Sequence, residues 1–418
     1  MNKVLVTGLG MTTPIGPDAA TSFAAALNAT SAVRVAPPEQ CAGLNNILHA
    51  PIAAEPGPLL DRAHTGLDRA AQLALLATQE AVAQAQADTL TLWPDAGRVG
   101  IYVGIGFGGA DTVDALYTRY FQSLHAGKER QATVMHPLSV PRMMANAAAA
   151  AVSMRYGLRG ATHTYSVACA SSAVAAGEAL RAIRHGYLDA AIVIGTEAML
   201  TPGSIVAWNA LRVMARPDPQ DPAASCKPFA QDRCGFVLGE CAAALVLESE
   251  AHAARRGAQA LAELAGYGCS SDAHHLTAPS IEGQVAAMQQ ALNEAGLRPD
   301  QVQYLNAHGT ATDAGDVIET QSIQAVFGAA ADKLAVSSTK AVHGHLIGAG
   351  GTVEPALSLM AMRSGSIPPT ANLRQPDPRC SLDYVPLQAR HGCDIHAVMS
   401  NSFAFGGTNA SLLARRVA

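Results

Sequence analysis

Short apolar runs ending in glycine or another small residue recur along the chain, at residues 3–10, 99–106, 162–169, 190–195 and 242–248. Runs of this length without polar alternation predict strands buried on both faces. Between them, residues 68–87, 145–156 and 172–185 are alanine-rich and long enough for helices. The alternation of β and α predicts a largely parallel, helix-covered sheet. After the charged segment 248–257 the pattern restarts, with a strand at 260–268, a helix at 281–295 and strands at 302–307, 334–338 and 396–402. The second half therefore reads as a degenerate repeat of the first, dividing the chain into residues 1–255 and 256–418. In that register the strand ending at Cys169 corresponds to the one ending near Lys340, whose following helix begins around His345 or just after it. Two like halves placed back to back would bring both strand ends to one central site. Polar or proline-rich pieces at 36–61, 216–227 and 367–379 read as surface loops.

Length and composition narrow the class. A chain of 418 residues can bury a large core. Its 49% hydrophobic, 15% charged and 5% aromatic content suits a tightly packed α/β protein. A formal charge of −5 offers no global attraction to nucleic acid or to an anionic membrane. Met1-Asn2-Lys3 leads into an apolar run too short for a signal peptide, and no apolar stretch approaches the ~18 residues of a spanning helix, so the expected location is cytoplasmic. The eight cysteines include no CxxC pair and no zinc-like His/Cys spacing, so no metal is expected.

One cysteine stands apart. In Thr164-Tyr165-Ser166-Val167-Ala168-Cys169-Ala170-Ser171-Ser172 it sits where a strand stops and a helix of small residues begins. Helix N–H groups and the helix dipole favour thiolate there, so a pKa below the usual ~8.5 is expected. Two histidine motifs join it: Asn306-Ala307-His308-Gly309-Thr310-Ala311-Thr312, and Lys340-Ala341-Val342-His343-Gly344-His345-Leu346-Ile347-Gly348. Phe403-Ala404-Phe405-Gly406-Gly407-Thr408-Asn409 adds a glycine-rich turn.

With these four motifs in order, the sequence resembles the elongating β-ketoacyl-acyl-carrier-protein synthases of bacterial fatty-acid and type II polyketide pathways, over nearly its whole length. The resemblance implies a duplicated thiolase-like α/β fold, layered α-β-α-β-α, and decarboxylative Claisen condensation of malonyl-carrier protein with a cysteine-bound acyl chain. It implies catalytic Cys169, His308 and His345. Lys340 and Glu354 would form a supporting polar pair, and Phe403 and Phe405 the gate, with the Phe405 and Cys169 N–H groups as oxyanion hole. Thr310 and Thr312 would hold the phosphopantetheine arm, and Phe107 would line the acyl pocket. No cofactor is implied beyond the arm of acyl carrier protein. The implied partners are that carrier, through Arg62, Lys128, Arg130 and Arg212, and a second ketosynthase-like subunit in a homodimer or heterodimer.

Three departures stand out from the family pattern. His343 replaces a common Thr, Ala404 replaces the Gly between the two phenylalanines, and Phe107 occupies a position that is often aliphatic. His345 is preferred over His343 as the second imidazole because it directly precedes Leu346-Ile347-Gly348-Ala349-Gly350-Gly351. Gly8-Leu9-Gly10 suggests a dinucleotide fingerprint, but Thr13 stands where the third Gly or Ala belongs. A thiolase would need a second cysteine in the C-terminal glycine-rich turn, which has none. A non-catalytic, chain-length-determining partner subunit would lack the nucleophile.

Overall fold

A computed structural model describes residues 2–86, 93 and 95–417. Its main sheet has ten strands: β1 (Val4–Thr12), β2 (Val99–Gly104), β3 (Thr162–Tyr165), β4 (Ala190–Glu197), β5 (Cys241–Ser249), β6 (Ala262–Ser271), β7 (Tyr304–Asn306), β8 (Ala335–Ser337), β9 (Ala397–Phe403) and β10 (Thr408–Arg415). Their order is β8-β7-β9-β10-β6-β1-β5-β4-β2-β3. Read outward from the centre, each half has the same sequence of strands, and the pairings repeat. β2 is parallel to β3 and β4, as β7 is to β8 and β9. The inner strands β5 and β10 are antiparallel to both of their neighbours.

The sheet is therefore mixed rather than largely parallel. The excess of antiparallel pairing arises at the centre, where β1 meets β6 antiparallel and β9 returns into β10 through a tight turn. In that turn Gly406 and Gly407 take φ of +85° and +79°, values that favour glycine.

Six helices complete the repeat: α1 (Arg69–Gln84), α2 (Ala147–Tyr156), α3 (Ser171–Arg184), α4 (Ile281–Ala295), α5 (Asp313–Phe327) and α6 (Gly350–Ser364). Asp68 caps α1 by accepting from Ala70 N–H, and the expected end of that helix at Ala87 lies outside the described residues. α1 and α2 cover one half-sheet, α4 and α5 flank the other, and α3 and α6 pack together between the two. This is the five-layered arrangement, and its central layer is built of small side chains such as Ala173, Ala176, Ala179, Val353 and Ala356.

The glycine pair that suggested a nucleotide fingerprint has a packing role. A Cβ on Gly8 or Gly10 would meet the Ala81 or Ala77 carbonyl oxygen of α1 at 2.1 or 2.3 Å. The second half repeats this on β6, where Gly266 and Gly268 face the Ala291 and Ala287 oxygens of α4 at 2.1 and 1.9 Å. Only a bare backbone lets each helix lie this close to its strand.

Candidate functional site

β3 stops at Tyr165, four residues short of the expected end, and the chain turns sharply before α3. At the bend Ala168 takes φ +50°, an uncommon conformation for a residue with a side chain. Ser171 pins the bend, its hydroxyl donating to Ala168 O at 2.6 Å and accepting from Val167 N–H at 2.9 Å. Cys169 is thereby held in an apolar cluster with Met199, Trp208, Phe236, Leu238 and Ile347.

The other half supplies the imidazoles. His345 follows Gly344, whose φ is +73°, and is tied by backbone bonds to Val237 and Gly239. Its Nε2 lies 3.1 Å from Cys169 Sγ. His308 follows β7, and its own N–H and that of Gly309 donate to the buried Glu319 carboxylate of α5 at 2.8 and 2.7 Å. The His308 ring stands edge-on to His345 at 5.4 Å and to Phe403 at 6.1 Å. The sulfur and the imidazole nitrogens of this trio lie within 4.8 Å of one another, a donor set also suited to a soft divalent cation.

Burial dominates the electrostatics. It pushes the Cys169 thiol up to about 12, against the nearby Lys340 ammonium and the Phe405 N–H directed at the sulfur. The expected lowering of the thiol pKa is thus reversed, because a helix end reasoned from local sequence omits the desolvation of a closed cavity. Burial first, and Lys340 second, hold both His308 and His345 well below the usual histidine range, so both rings are neutral. The resting site is a thiol facing two neutral imidazoles, able to donate ring N–H groups or to take up a proton in passing.

These side chains share a cavity of about 310 Å3 with Thr310, Thr312, Phe403, Phe405, Trp208 and Phe236. The Thr310 and Thr312 hydroxyls lie 3.0 Å apart on its wall. Lys340 Nζ donates to Glu354 Oε1 at 2.5 Å, both side chains 1% exposed. His343 is buried outside this cavity, with Nδ1 against Gly344 O and Nε2 against the Thr339 hydroxyl. Of the four candidate basic contacts, all exposed, only Arg212 adjoins a cavity-lining residue in sequence, Val213.

Phe107 departs from its expected place. Its side chain is 55% exposed and is not part of the cavity wall in the single chain. Its backbone explains the position. Phe107 N–H, with those of Gly106 and Gly348, donates to Glu197, a buried carboxyl at the end of β4 that burial raises to about 7. Glu197, Glu319 and Trp208 carry no sequence motif of their own: Glu197 takes its partners from distant segments, whereas Glu319 and Trp208 bond to His308, Gly309 and Met199 shortly before them in the chain.

Family models for "Beta-ketoacyl synthase, N-terminal domain" and "Beta-ketoacyl synthase, C-terminal domain" match residues 1–253 and 261–374. The chain is 40% identical to nodulation protein E of Rhizobium sp. (strain N33), covering 99% of each. It is 38% identical to 3-oxoacyl-[acyl-carrier-protein] synthase 2 of Staphylococcus aureus (strain COL), covering 99% of this chain and 98% of that one. A solved type II PKS ketosynthase bound to the hexaketide, in complex with its acyl-carrier protein, superposes with a TM-score of 0.90 over all of both chains at 27% identity.

Proposed function

Starting from the premise that this chain belongs to the β-ketoacyl synthase family and is a carbon–carbon bond-forming acyltransferase, we propose that Cys169 carries the acyl chain while His308 and His345 drive decarboxylation. The observation that supports this assignment is the 3.1 Å approach of His345 Nε2 to Cys169 Sγ, with His308 beside it in one cavity.

In the first half-reaction Sγ attacks the acyl thioester as its proton passes to the departing carrier thiol, a route that spares the enzyme a standing buried thiolate. The Cys169 and Phe405 N–H groups hold the tetrahedral oxyanion. In the second, malonyl-carrier occupies the vacated arm site along Thr310 and Thr312. Neutral His308 and His345 each donate a ring N–H to the malonyl thioester oxygen, so carbon dioxide leaves and its electron pair stays as an enolate. The enolate carbon attacks the Cys169 thioester, the β-ketoacyl chain remains on the carrier, and the sulfur is expelled as thiolate and takes one proton from solvent. Lys340 and Glu354 hold the polar floor behind the histidines. The reading needs no cofactor beyond the phosphopantetheine arm.

Acyl carrier protein is the proposed partner at the cavity mouth, with Arg212 as a contact. A second ketosynthase-like subunit is proposed against the edge strand β3, whose outer backbone groups are unpaired within the sheet, with the exposed Phe107, Phe121, Val140 and Met154 as candidate apolar contacts. Among the described residues no helix is long and apolar enough to cross a membrane, which fits the proposed cytoplasmic site of action. Mass spectrometry of carrier-bound products from acyl-carrier and malonyl-carrier tests the reading. A chain extended by two carbons supports it, and no extension alongside a competent partner subunit would make this the non-catalytic member of a pair.

A further inference from the structure

The acyl half of the cavity has an aromatic wall on one side. Trp208, on the short helix Pro202–Ala210, is 9% exposed and lines the cavity with Cys169. Its ring lies nearly parallel to Phe405, at 6.3 Å and 28°, and edge-on to Phe236, at 5.6 Å and 80°. Phe236 in turn stands edge-on to His345 at 5.2 Å. Four rings thus form a continuous run from the gate turn to the imidazole that faces the sulfur.

The orientation of the indole matters as much as its presence. Its one polar group, Nε1–H, donates to Met199 Sδ at 3.2 Å, a bond buried in the apolar cluster around Cys169. The ring therefore has no hydrogen bond left to give to a substrate, and what it offers the cavity is apolar carbon surface and a π face. Any acyl group on Cys169 must lie in contact with this cluster.

We propose that Trp208 is a specificity-determining residue that favours acyl groups whose first carbons are flat and conjugated over saturated groups of equal length. Two effects act in this direction. A planar, polarizable chain stacks on aromatic faces, an interaction whose size in aromatic pairs corresponds to about 2- to 12-fold in affinity. A conjugated chain also has fewer rotatable bonds to freeze when it is seated. The proposal rests on the condensing-enzyme reading and deepens it by naming the class of acyl group.

The test compares hexanoyl and 2,4-hexadienoyl groups on the same carrier, measuring kcat/KM for extension by wild type, Trp208→Leu and Trp208→Phe. Any loss of folded enzyme cancels in the dienoyl-to-hexanoyl ratio within each protein, and the intrinsic reactivity of the two thioesters cancels when the ratios of variant and wild type are compared. The expected result is a ratio about 2- to 12-fold lower in Trp208→Leu, with Trp208→Phe in between. Should the leucine variant fail to fold, a drop in the phenylalanine variant carries the same meaning. A ratio that is the same in wild type and in the folded variants overturns the proposal, even if all of them condense. Failure of wild type to extend either primer would instead overturn the reading of the site as a condensing enzyme.

Discussion

Replacing Glu354 by Leu should destabilise the protein far more than replacing Glu354 and Lys340 together. Lys340 Nζ and Glu354 Oε1 are 2.5 Å apart and each side chain is 1% exposed, so neither has water to fall back on. Removing one member of such a pair costs ~3–5 kcal/mol, because the other is left buried without its partner. Against a net stability of ~5–15 kcal/mol this is a large share. Lys340→Met with Glu354→Leu fills similar volume without charge and should come out within ~1 kcal/mol of wild type or above it. Urea titrations of the three proteins read the difference. The ammonium has a second effect, since after burial it is the next cause holding His308 and His345 low. Without it both imidazoles move up while burial, the larger cause, still holds them low, so they protonate at higher pH than in wild type and the acid limb of the pH–rate profile shifts upward. A single variant as stable as the double, or an acid limb that stays in place, would refute the reasoning.

Cys169→Ala should abolish condensation while leaving the fold intact, because a small residue fits the bend; near-normal extension by that variant would assign the nucleophile elsewhere. His308→Ala and His345→Ala should each slow decarboxylation by ~100-fold or more, the scale of losing one oxyanion donor, whereas His343→Ala should leave that step nearly unchanged. The opposite pattern, His343 essential and His345 silent, would exchange their roles. His343 is held down to about 3 by burial, below its ordinary 6.5, so its contribution to stability is full above pH 6.5 and is lost as pH falls toward 3. Between pH 7 and pH 5, His343→Thr should therefore lose ~2 kcal/mol less unfolding free energy than wild type, and parallel losses would contradict a buried neutral ring. Arg212→Glu should raise the KM for carrier-borne substrate with kcat nearly intact, and an unchanged KM removes Arg212 from the docking surface.

The strands and helices that build the first half are legible because each is a short run with one period, and the repeat is legible because the pattern restarts. The antiparallel centre is less so. Thr408–Arg415 is buried along most of its length, shows no alternation, and directly follows a turn that its glycines make conspicuous. Asp313–Phe327 hides in the same way behind the Gly/Thr loop that precedes it. Cys169, His308 and His345 are visible as motifs, but their protonation states are not, since desolvation depends on what closes over them. Glu197 and Glu319 escape sequence reasoning for a related reason. Each is a lone carboxylate whose function is to accept backbone N–H groups from other segments, and such groups leave no mark in the sequence.

The two half-sheets are joined directly at only two Cα pairs, Leu5 with Glu263 and Val6 with Ala262, whereas β1 runs beside β5 for eight. A seam this thin resists bending poorly. The nucleophile precedes α3 and its imidazole partner precedes α6, so the spacing between sulfur and nitrogen is set by how those two helices lie against each other. The buried middle layer is therefore the gauge of the reaction. A methyl group added between the helices, as in Gly351→Ala, where the new Cβ would meet Ala173 of α3 at 2.4 Å, would be felt as a change in reach between two reacting atoms even though it touches neither.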